Sequence, residues 1–247
     1  MTPDQLANPD QYREAVFSEY FDNLLPAINS FSPTECSRIK SAFKLAVGAH
    51  REQERKTVDK YHISHVVATT LILRNECDIK DVTVLESALL HDTVEDSDFF
   101  GDPAQMSYNA WMEHSRILLK EKNVDDATID NVLALTKPQV NGLDVEDETQ
   151  ARQKYYDQLK KAPADALLIK MADRLHNLRT QYETAPEDKE RKIKETRDVY
   201  LQIFELARER YPKETEYLLS QINQELQMLE AQSNFEAKNI VTGVIFE

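Results

Sequence analysis

Apolar residues recur at helical spacing along most of this chain, and short polar or proline-containing segments separate them. Phe17, Phe21 and Leu24 form one such stripe in a lead-in over residues 1–31. Ser32-Pro33-Thr34-Glu35 is a capping box with proline at the first helical position, so it predicts a helix that runs to about His50. The same spacing predicts further helices, which are expected over 65–73, from 78 to the 91–92 pair, from 102, over 126–136, over 166–180, from 186 to about 211, and over 213–231.

The composition favours an all-α fold. The chain has 247 residues with only 4 glycines and 9 prolines, and helix-forming residues dominate. We expect a helical lead-in over 1–31, one main domain over 32–211, and a C-terminal helix and tail over 212–247 that packs on the domain or extends it. Residues 239–247 alternate like a strand, which leaves open a packing arm, a dimer contact or a disordered end.

The net charge limits the kinds of binding partner that we expect, and the cysteines indicate the cellular compartment. A net charge of -14 disfavours nucleic acid and anionic membranes, so a phosphate ligand would need a local cluster of Lys and Arg or a metal. No apolar run approaches the roughly 20 residues that span a bilayer, and the N-terminus does not resemble a signal peptide. Cys36 and Cys77 lack a CxxC spacing, so we expect reduced thiols in a cytoplasmic protein.

The stretch from Val84 to Asp96 carries the strongest chemical signal. An apolar run ends in His91-Asp92, and Glu95 and Asp96 follow within one turn. If the helix continues, His91 and Glu95 are neighbours at i, i+4, and so are Asp92 and Asp96. A divalent metal would offset so much like charge, whereas the alternative is a solvated polar helix end.

A second apolar run, residues 166–172, leads to Asp173, with Asn177 and Thr180 on the same helix face. A half-buried carboxylate needs a partner. From these residues, a salt bridge to Arg174 or Arg179 and a metal are equally good explanations.

Residues 49–65 precede both motifs in the chain and contain a cluster of basic residues and histidines. Arg51, Arg55 and Lys56 could form an anion-binding loop or a solvated connection. His62 and His65 follow, and histidine is a common metal ligand.

Taken together, these motifs resemble the HD-domain metallophosphohydrolases. Ala-Leu-Leu-His91-Asp92-Thr-Val-Glu95-Asp96 and the later Ala-Asp173-Arg-Leu-His-Asn177-Leu-Arg-Thr180 carry the likeness, which extends over about residues 40–205. Within that superfamily, the chain is similar to the hydrolase domain of RelA/SpoT homologues, and most closely to a stand-alone small alarmone hydrolase. The resemblance implies an HD-domain helical bundle with an additional C-terminal helix and tail.

The resemblance also implies one divalent cation, usually Mn²⁺, and a small-molecule nucleotide substrate. The metal ligands carried over are His65, His91, Asp92 and Asp173, and Glu95 and Asp96 match the pair that handles the attacking water and its proton. The substrate-binding positions carried over, or expected from their charge, are Arg51, Arg55, Lys56, Asn177, Arg179 and Thr180.

The implied reaction removes the 3′-pyrophosphate of guanosine tetra- or pentaphosphate. The family pattern before its first metal histidine is Pro-Tyr-x-x-His-Pro, but here Tyr61 is followed by three residues and then His65, without either proline. That departure makes His62 a rival first ligand. It also keeps open an adenosine alarmone such as (p)ppApp. A non-catalytic nucleotide-binding module is a further alternative, but the presence of all four ligands and of both Glu95 and Asp96 argues against it. An antitoxin role, the base preference and the oligomeric state are left open.

Overall fold

The described part of the chain consists of helices and connecting turns, so the all-α prediction is confirmed. The structure is a computed structural model that describes residues 8–51, 53, 61–139, 145, 147–180 and 186–242. The helices are α1 Pro9–Ile28, α2 Pro33–Ala49, α3 His62–Leu71, α4 Val82–Leu90, α5 Tyr108–Glu121, α6 Asp126–Leu135, α7 Glu148–Leu159, α8 Ala164–Arg179, α9 Pro186–Glu195, α10 Leu201–Phe204 and α11 Pro212–Thr242. Short π-helical turns at Ile72–Glu76 and Thr196–Tyr200 extend α3 and join α9 to α10.

Two helices, α4 and α8, form the centre of the fold. Every residue of α4 except Thr83 is buried, and so is α8 from Asp165 to His176. A helix that is buried on all sides must be surrounded by other helices. Accordingly α2 and α6 pack on α4, α11 packs on α8, and α3 contacts both central helices.

The N-terminal helices follow the predicted signals closely. The Ser32 hydroxyl accepts a hydrogen bond from the Glu35 N–H, and the Glu35 carboxylate accepts one from the Ser32 N–H, so the predicted capping box is present. The apolar stripe of α1 meets α2 through the aromatic rings of Phe17, Phe21 and Phe43. Their centroid distances of 5.3 and 5.4 Å are typical of packed aromatic pairs.

Two helix boundaries near the chemical motifs differ from the prediction. Helix α3 begins at His62 rather than at His65, so both histidines are in its first turn. Helix α4 ends at Leu90, before the acidic residues. The Leu90 carbonyl at the helix end accepts hydrogen bonds from both the backbone N–H and the hydroxyl of Thr93, at 3.0 and 2.7 Å. The chain then continues in a turn in which the Asp96 N–H donates to the Asp92 carbonyl at 3.0 Å.

Helix α11 is longer than predicted. It continues to Thr242, so the strand-like expectation is wrong for residues 239–242, while 243–247 lie outside the described residues. A short apolar alternation does not by itself distinguish a strand from a helix. Helix α11 packs on α8 through buried side chains that recur at helical spacing, among them Leu218, Ile222, Leu226 and Leu229. The predicted division of the chain into a lead-in, a main domain and a C-terminal segment, with boundaries after residues 31 and 211, stays a prediction.

None of the described helices combines the length and the apolar character that crossing a bilayer requires.

Candidate active site

Three helices bring a cluster of histidine nitrogens and aspartate oxygens together in the interior. The first turn of α3 supplies His65, the end of α4 supplies His91 and Asp92, and α8 supplies Asp173. His65 Nε2 lies 3.0 Å from Asp173 Oδ1 and 3.6 Å from Asp92 Oδ2. His91 Nε2 lies 3.2 Å from Asp92 Oδ2 and 3.9 Å from Asp173 Oδ1. The four side chains that the motifs predicted as ligands therefore converge on one point.

The other ring nitrogen of each of these two histidines is held by the fold. His91 Nδ1 donates to the Ala88 carbonyl at 2.8 Å, so its Nε2 lone pair faces the cluster. That Nε2 atom is buried and makes no well-aligned hydrogen bond within the described residues. His65 Nδ1 shares a 2.7 Å hydrogen bond with Nδ1 of His176 on α8. Both rings are thus oriented in the way that metal-binding histidines usually are.

The histidines and aspartates of the cluster shift one another's pKa values. Burial alone would lower the pKa of His91, but the neighbouring Asp92 carboxylate outweighs it and the pKa lies above its ordinary value. Burial would raise the pKa of Asp92, but His91 and His62 outweigh it and hold that pKa well below the usual range. The site therefore favours negative oxygen beside positive charge, which a bound cation would supply in place of protons.

Asp173 connects this cluster to a group of basic residues. Its Oδ2 atom lies 2.6 Å from Nζ of Lys170, and its Oδ1 atom accepts a hydrogen bond from the Asn177 amide. The salt-bridge partners that the sequence suggested are wrong, because Arg174 pairs with Glu195 and Arg179 pairs with Glu76. Burial would raise the pKa of Asp173, but the Lys170 ammonium outweighs it and keeps the carboxylate ionised.

The residues present fit a divalent cation. Two imidazole nitrogens and two carboxylates are a common donor set for borderline and hard divalent ions, and they leave further positions for water and substrate. His65, His91 and Asp173 place one ligand atom each within 4.8 Å of the others. The buried Nε2 of His91, which lacks an aligned partner, is the atom that such an ion would satisfy.

The predicted proton-handling pair lies next to the cluster, and its two members have different surroundings. Glu95 is held by Lys137, whose Nζ lies 2.6 Å from Oε1 and whose backbone N–H donates to Oε2 at 3.2 Å. Asp96 Oδ2 lies 3.4 Å from Nε2 of His62. Burial, with the nearby charges of Asp92 and Glu95, raises the pKa of Asp96 to about 7. A bound cation would oppose that shift.

A cavity of about 380 Å³ opens beside Asp173, and most of its charged side chains are basic. Its lining contains six basic and three acidic side chains, whereas the chain as a whole is acidic. The basic residues come from the segment after α6 and from α7, α8 and α9, and they are Lys137, Arg152, Lys170, Arg174, Arg191 and Lys192. Tyr155 and Tyr200 add aromatic surface. Such a lining suits a polyanion of small-molecule size.

The predicted substrate-binding residues have different positions. Asn177 lines the cavity. Arg179 does not; its guanidinium contacts Glu76 at 2.7 Å and Gln221 on α11 at 3.3 Å. The Thr180 hydroxyl donates to the His176 carbonyl at 3.0 Å and caps α8 instead. Arg51 is half-buried just after α2, and Arg55 and Lys56 lie outside the described residues.

Sequence reasoning missed most of the cavity. Its basic residues are far apart in the chain, and only the packing of α7, α8 and α9 brings them together. Lys170 did leave a signal, because a single lysine within the apolar run Leu167-Leu-Ile-Lys170-Met-Ala needs a buried partner. His176 lies one turn from Asp173 on α8, but nothing in the sequence indicates that it is the partner of His65.

The matching protein family agrees with this geometry. The HD domain matches residues 42–207, which is more than half of the chain. The chain belongs to the HD-domain family. The match covers α3, α4 and α8, the helices that supply the histidine–aspartate cluster, and it leaves α1 and α11 outside. The resemblance drawn from the motifs is thereby confirmed.

Relatives with long shared segments include the mammalian enzymes named guanosine-3′,5′-bis(diphosphate) 3′-pyrophosphohydrolase MESH1. The human protein is 33% identical over 155 residues, which are 62% of this chain and 75% of that protein. The mouse protein is 30% identical over 147 residues, covering 59% and 70%. A probable GTP diphosphokinase of Arabidopsis thaliana, the chloroplastic RSH2, is 34% identical over 165 residues, but the match covers only 21% of its length.

A solved structure of a metazoan SpoT orthologue, described as hydrolysing ppGpp, has a similar fold. The TM-score is 0.52 with 23% sequence identity, and the similarity covers 77% of this chain and 94% of the other. The HD-type helical fold is therefore shared across most of the smaller protein.

Proposed function

We propose that this protein is a guanosine-3′,5′-bis(diphosphate) 3′-pyrophosphohydrolase that uses a divalent cation, Mn²⁺. The observation that carries the proposal is the junction at Asp173, where a buried histidine–aspartate cluster meets a basic cavity. A substrate with a diphosphate at two positions of its ribose needs both parts: a cation at the reacting phosphorus and basic residues for the remaining negative charge. The names of the MESH1 relatives support this substrate class.

The cation would be held by His65, His91, Asp92 and Asp173. When bound, it would polarise a phosphoryl oxygen and make a water molecule more acidic. The hydrogen bonds from His91 to Ala88 and between His65 and His176 keep both Nε2 atoms directed at that position. Carboxylate ligands suit Mn²⁺, and this ion also accepts imidazole nitrogen.

Glu95 and Asp96 would move the protons of the reaction. Water attacks the phosphorus attached to the ribose 3′-oxygen, the bond between that oxygen and phosphorus breaks, and the products are GDP or GTP and pyrophosphate. One carboxylate takes the proton of the attacking water, and a proton must reach the departing 3′-oxygen. Lys137 holds Glu95 by two hydrogen bonds, so the carboxylate keeps one orientation during this transfer.

Nucleotide binding would draw on both the cavity and the segment before α3. We propose that Arg51, Arg55, Lys56 and Asn177 contact the nucleotide. Arg179 and Thr180 would act indirectly, because their contacts hold the end of α8 that carries Asn177. The free thiols of Cys36 and Cys77 support a cytoplasmic location.

The experiment that tests the proposal is pyrophosphate release from ppGpp and, separately, from ppApp, with Mn²⁺ and with a chelator. Chelator-sensitive release from ppGpp is the expected result. Release from ppApp alone would keep the reaction and transfer the base preference to adenine. Metal binding without release from either nucleotide would contradict the proposal and favour a nucleotide-binding module.

A further inference from the structure

We propose that this protein binds a second divalent cation beside the first, held by His62, Asp92 and Asp96. His62 Nε2 lies 3.0 Å from Asp92 Oδ2 and 3.4 Å from Asp96 Oδ2. One ligand atom from each of the three side chains lies within 4.8 Å of the other two. This group is separate from His65, His91 and Asp173, which satisfy the same criterion on their own.

Asp92 is the residue that joins the two groups. Its Oδ2 atom lies 3.0 Å from His62 Nε2, 3.2 Å from His91 Nε2 and 3.6 Å from His65 Nε2. An aspartate surrounded in this way can bridge two cations, and paired catalytic cations typically lie about 3.5–4 Å apart. His62 and His65 therefore need not be rivals for one position, because each has its own group of carboxylates.

The fold also fixes the His62 ring. Its ring stacks on that of His50, with centroids 4.3 Å apart and planes inclined by 20°. His50 is itself buried and is held through Nδ1 by the Gln53 side chain at 2.7 Å. The ring also meets that of His65 nearly at a right angle, at 84°. A side chain oriented by contacts with two other rings has lost much of its rotamer freedom before any ligand binds, which favours binding.

The balance of charge points to a cation as the ligand. Lys137 pairs with Glu95 and Lys170 pairs with Asp173, so these two carboxylates already have an ammonium group. Asp92 and Asp96 instead face histidines. Imidazole and carboxylate together suit Mn²⁺, Zn²⁺ or Fe²⁺, and the partly exposed Asp96, at 35%, leaves room for water or a phosphate oxygen.

The catalytic meaning of this site rests on the proposed function, but its existence does not. With two cations at the bridge, one would make the attacking water more acidic and the other would stabilise negative charge on the departing ribose 3′-oxygen. Metal binding can be measured without any nucleotide. The two ideas can therefore fail separately.

The test is the number of Mn²⁺ ions bound per chain at saturation, measured by elemental analysis after equilibrium dialysis, with electron paramagnetic resonance for coupling between ions. We expect about two ions in the natural protein, with the spectrum of an exchange-coupled pair. His62→Ala and Asp96→Asn should each leave about one ion and remove the coupling, because both spare the first group. His114→Ala, on α5, is the matched control and should keep both ions.

One ion per chain in the natural protein at saturating Mn²⁺ would overturn the proposal, and this measurement requires no variant to fold. Loss of all bound metal in a folded His62→Ala protein would overturn it as well, because His62 would then belong to a single site. Inactivity toward ppGpp with two coupled ions present would contradict the proposed substrate and leave the second site intact.

Discussion

The two halves of the candidate site favour ligands of opposite charge. In the cluster formed by α3, α4 and α8, aspartates face histidines, and the arrangement gains from an added cation. In the cavity formed by α7, α8 and α9, lysines and arginines outnumber acidic side chains, and the arrangement gains from an added anion. Asp173 belongs to both, since it contacts His65 on one side and Lys170 on the other.

This contrast shows how a chain with a net charge of -14 can bind a polyanion. The overall charge acts at long range and is screened within about 8–10 Å at physiological salt, whereas the cavity acts at contact distance. The acidic surface would disfavour long polyanions such as nucleic acid, which must contact much more of it. A small phosphorylated ligand meets only the basic lining.

The largest expected effect comes from removing a nitrogen ligand of the cluster. We predict that His91→Ala abolishes both metal binding and turnover, because His91 Nε2 is buried at the centre of the donor set. Elemental analysis and pyrophosphate release measure the two losses separately. His114→Ala serves as the control. Near-natural activity in a metal-free His91→Ala protein would remove the cation from the mechanism.

The next effect separates metal binding from proton transfer. We predict that Glu95→Gln keeps the metal but lowers kcat by a factor of about 10² or more, since general acid–base catalysis contributes roughly that much. The amide still has an oxygen that can accept a hydrogen bond from Lys137, so folding should be preserved. Glu121→Gln, at the exposed end of α5, is the matched control. An unchanged kcat would exclude Glu95 from the chemistry.

A third prediction concerns the basic cavity. Arg152 on α7 is 43% exposed and pairs with Glu148 one turn away, so its loss should leave the fold intact. We predict that Arg152→Met raises KM for ppGpp by about threefold to tenfold with little change in kcat, because a partly screened charge contributes modestly to binding. Salt titration of KM is the second measurement, and its slope should become shallower.

Lys160→Met is the control for this change, because Lys160 pairs with Asp157 at the end of the same helix and does not line the cavity. Equal KM values for the natural protein and both variants would mean that the phosphates bind elsewhere, for instance on Arg55 and Lys56.

The cluster could be predicted from the sequence, whereas the cavity could not, and the reason is physical. His91, Asp92, Glu95 and Asp96 lie in one short segment, so they stay close together although α4 ends at Leu90. The more distant ligands, His65 and Asp173, were implied by the resemblance to the HD family and not by spacing. Arg152, Arg174 and Lys192 become neighbours only through the packing of α7, α8 and α9. Local spacing carries no information on which faces of separate helices meet.

The ends and faces of single helices show the same limit of prediction from local sequence. The capping box at Ser32 predicted the start of α2 correctly, because a cap is made within four residues. The end of α4 was placed too late, because the hydrogen bond from the Thr93 hydroxyl to the Leu90 carbonyl is one of several arrangements that the same residues allow. The resemblance places Arg179 at the nucleotide, which stays a prediction; nothing in the sequence indicated its contact with Gln221 on α11, which lies outside the HD match.

The smallest expected effect comes from substituting Arg179, which contacts α11. This change tests whether the contact between α8 and α11 contributes to stability and not directly to nucleotide binding. Burial alone would raise the pKa of Glu76, but hydrogen bonds from Arg179 and Tyr217 outweigh it, and the pKa lies below its ordinary 4.5. A carboxylate whose pKa is lowered by folding stabilises the protein fully above that ordinary value, and the contribution disappears as the pH falls through the lower pKa of the folded state.

We therefore predict that Arg179→Met lowers the free energy of unfolding by about 0.2–1 kcal/mol at pH 7, because both partners are partly exposed. Urea unfolding should show the difference from the natural protein shrinking as the pH falls below 4.5. KM should rise by less than about twofold and kcat should not change, since the guanidinium is directed at Glu76 and Gln221 rather than into the cavity and would affect the nucleotide only by holding the end of α8 that carries Asn177. A clear rise in KM at unchanged stability would instead return Arg179 to the nucleotide, and it would mean that α8 exposes a different face when substrate is bound.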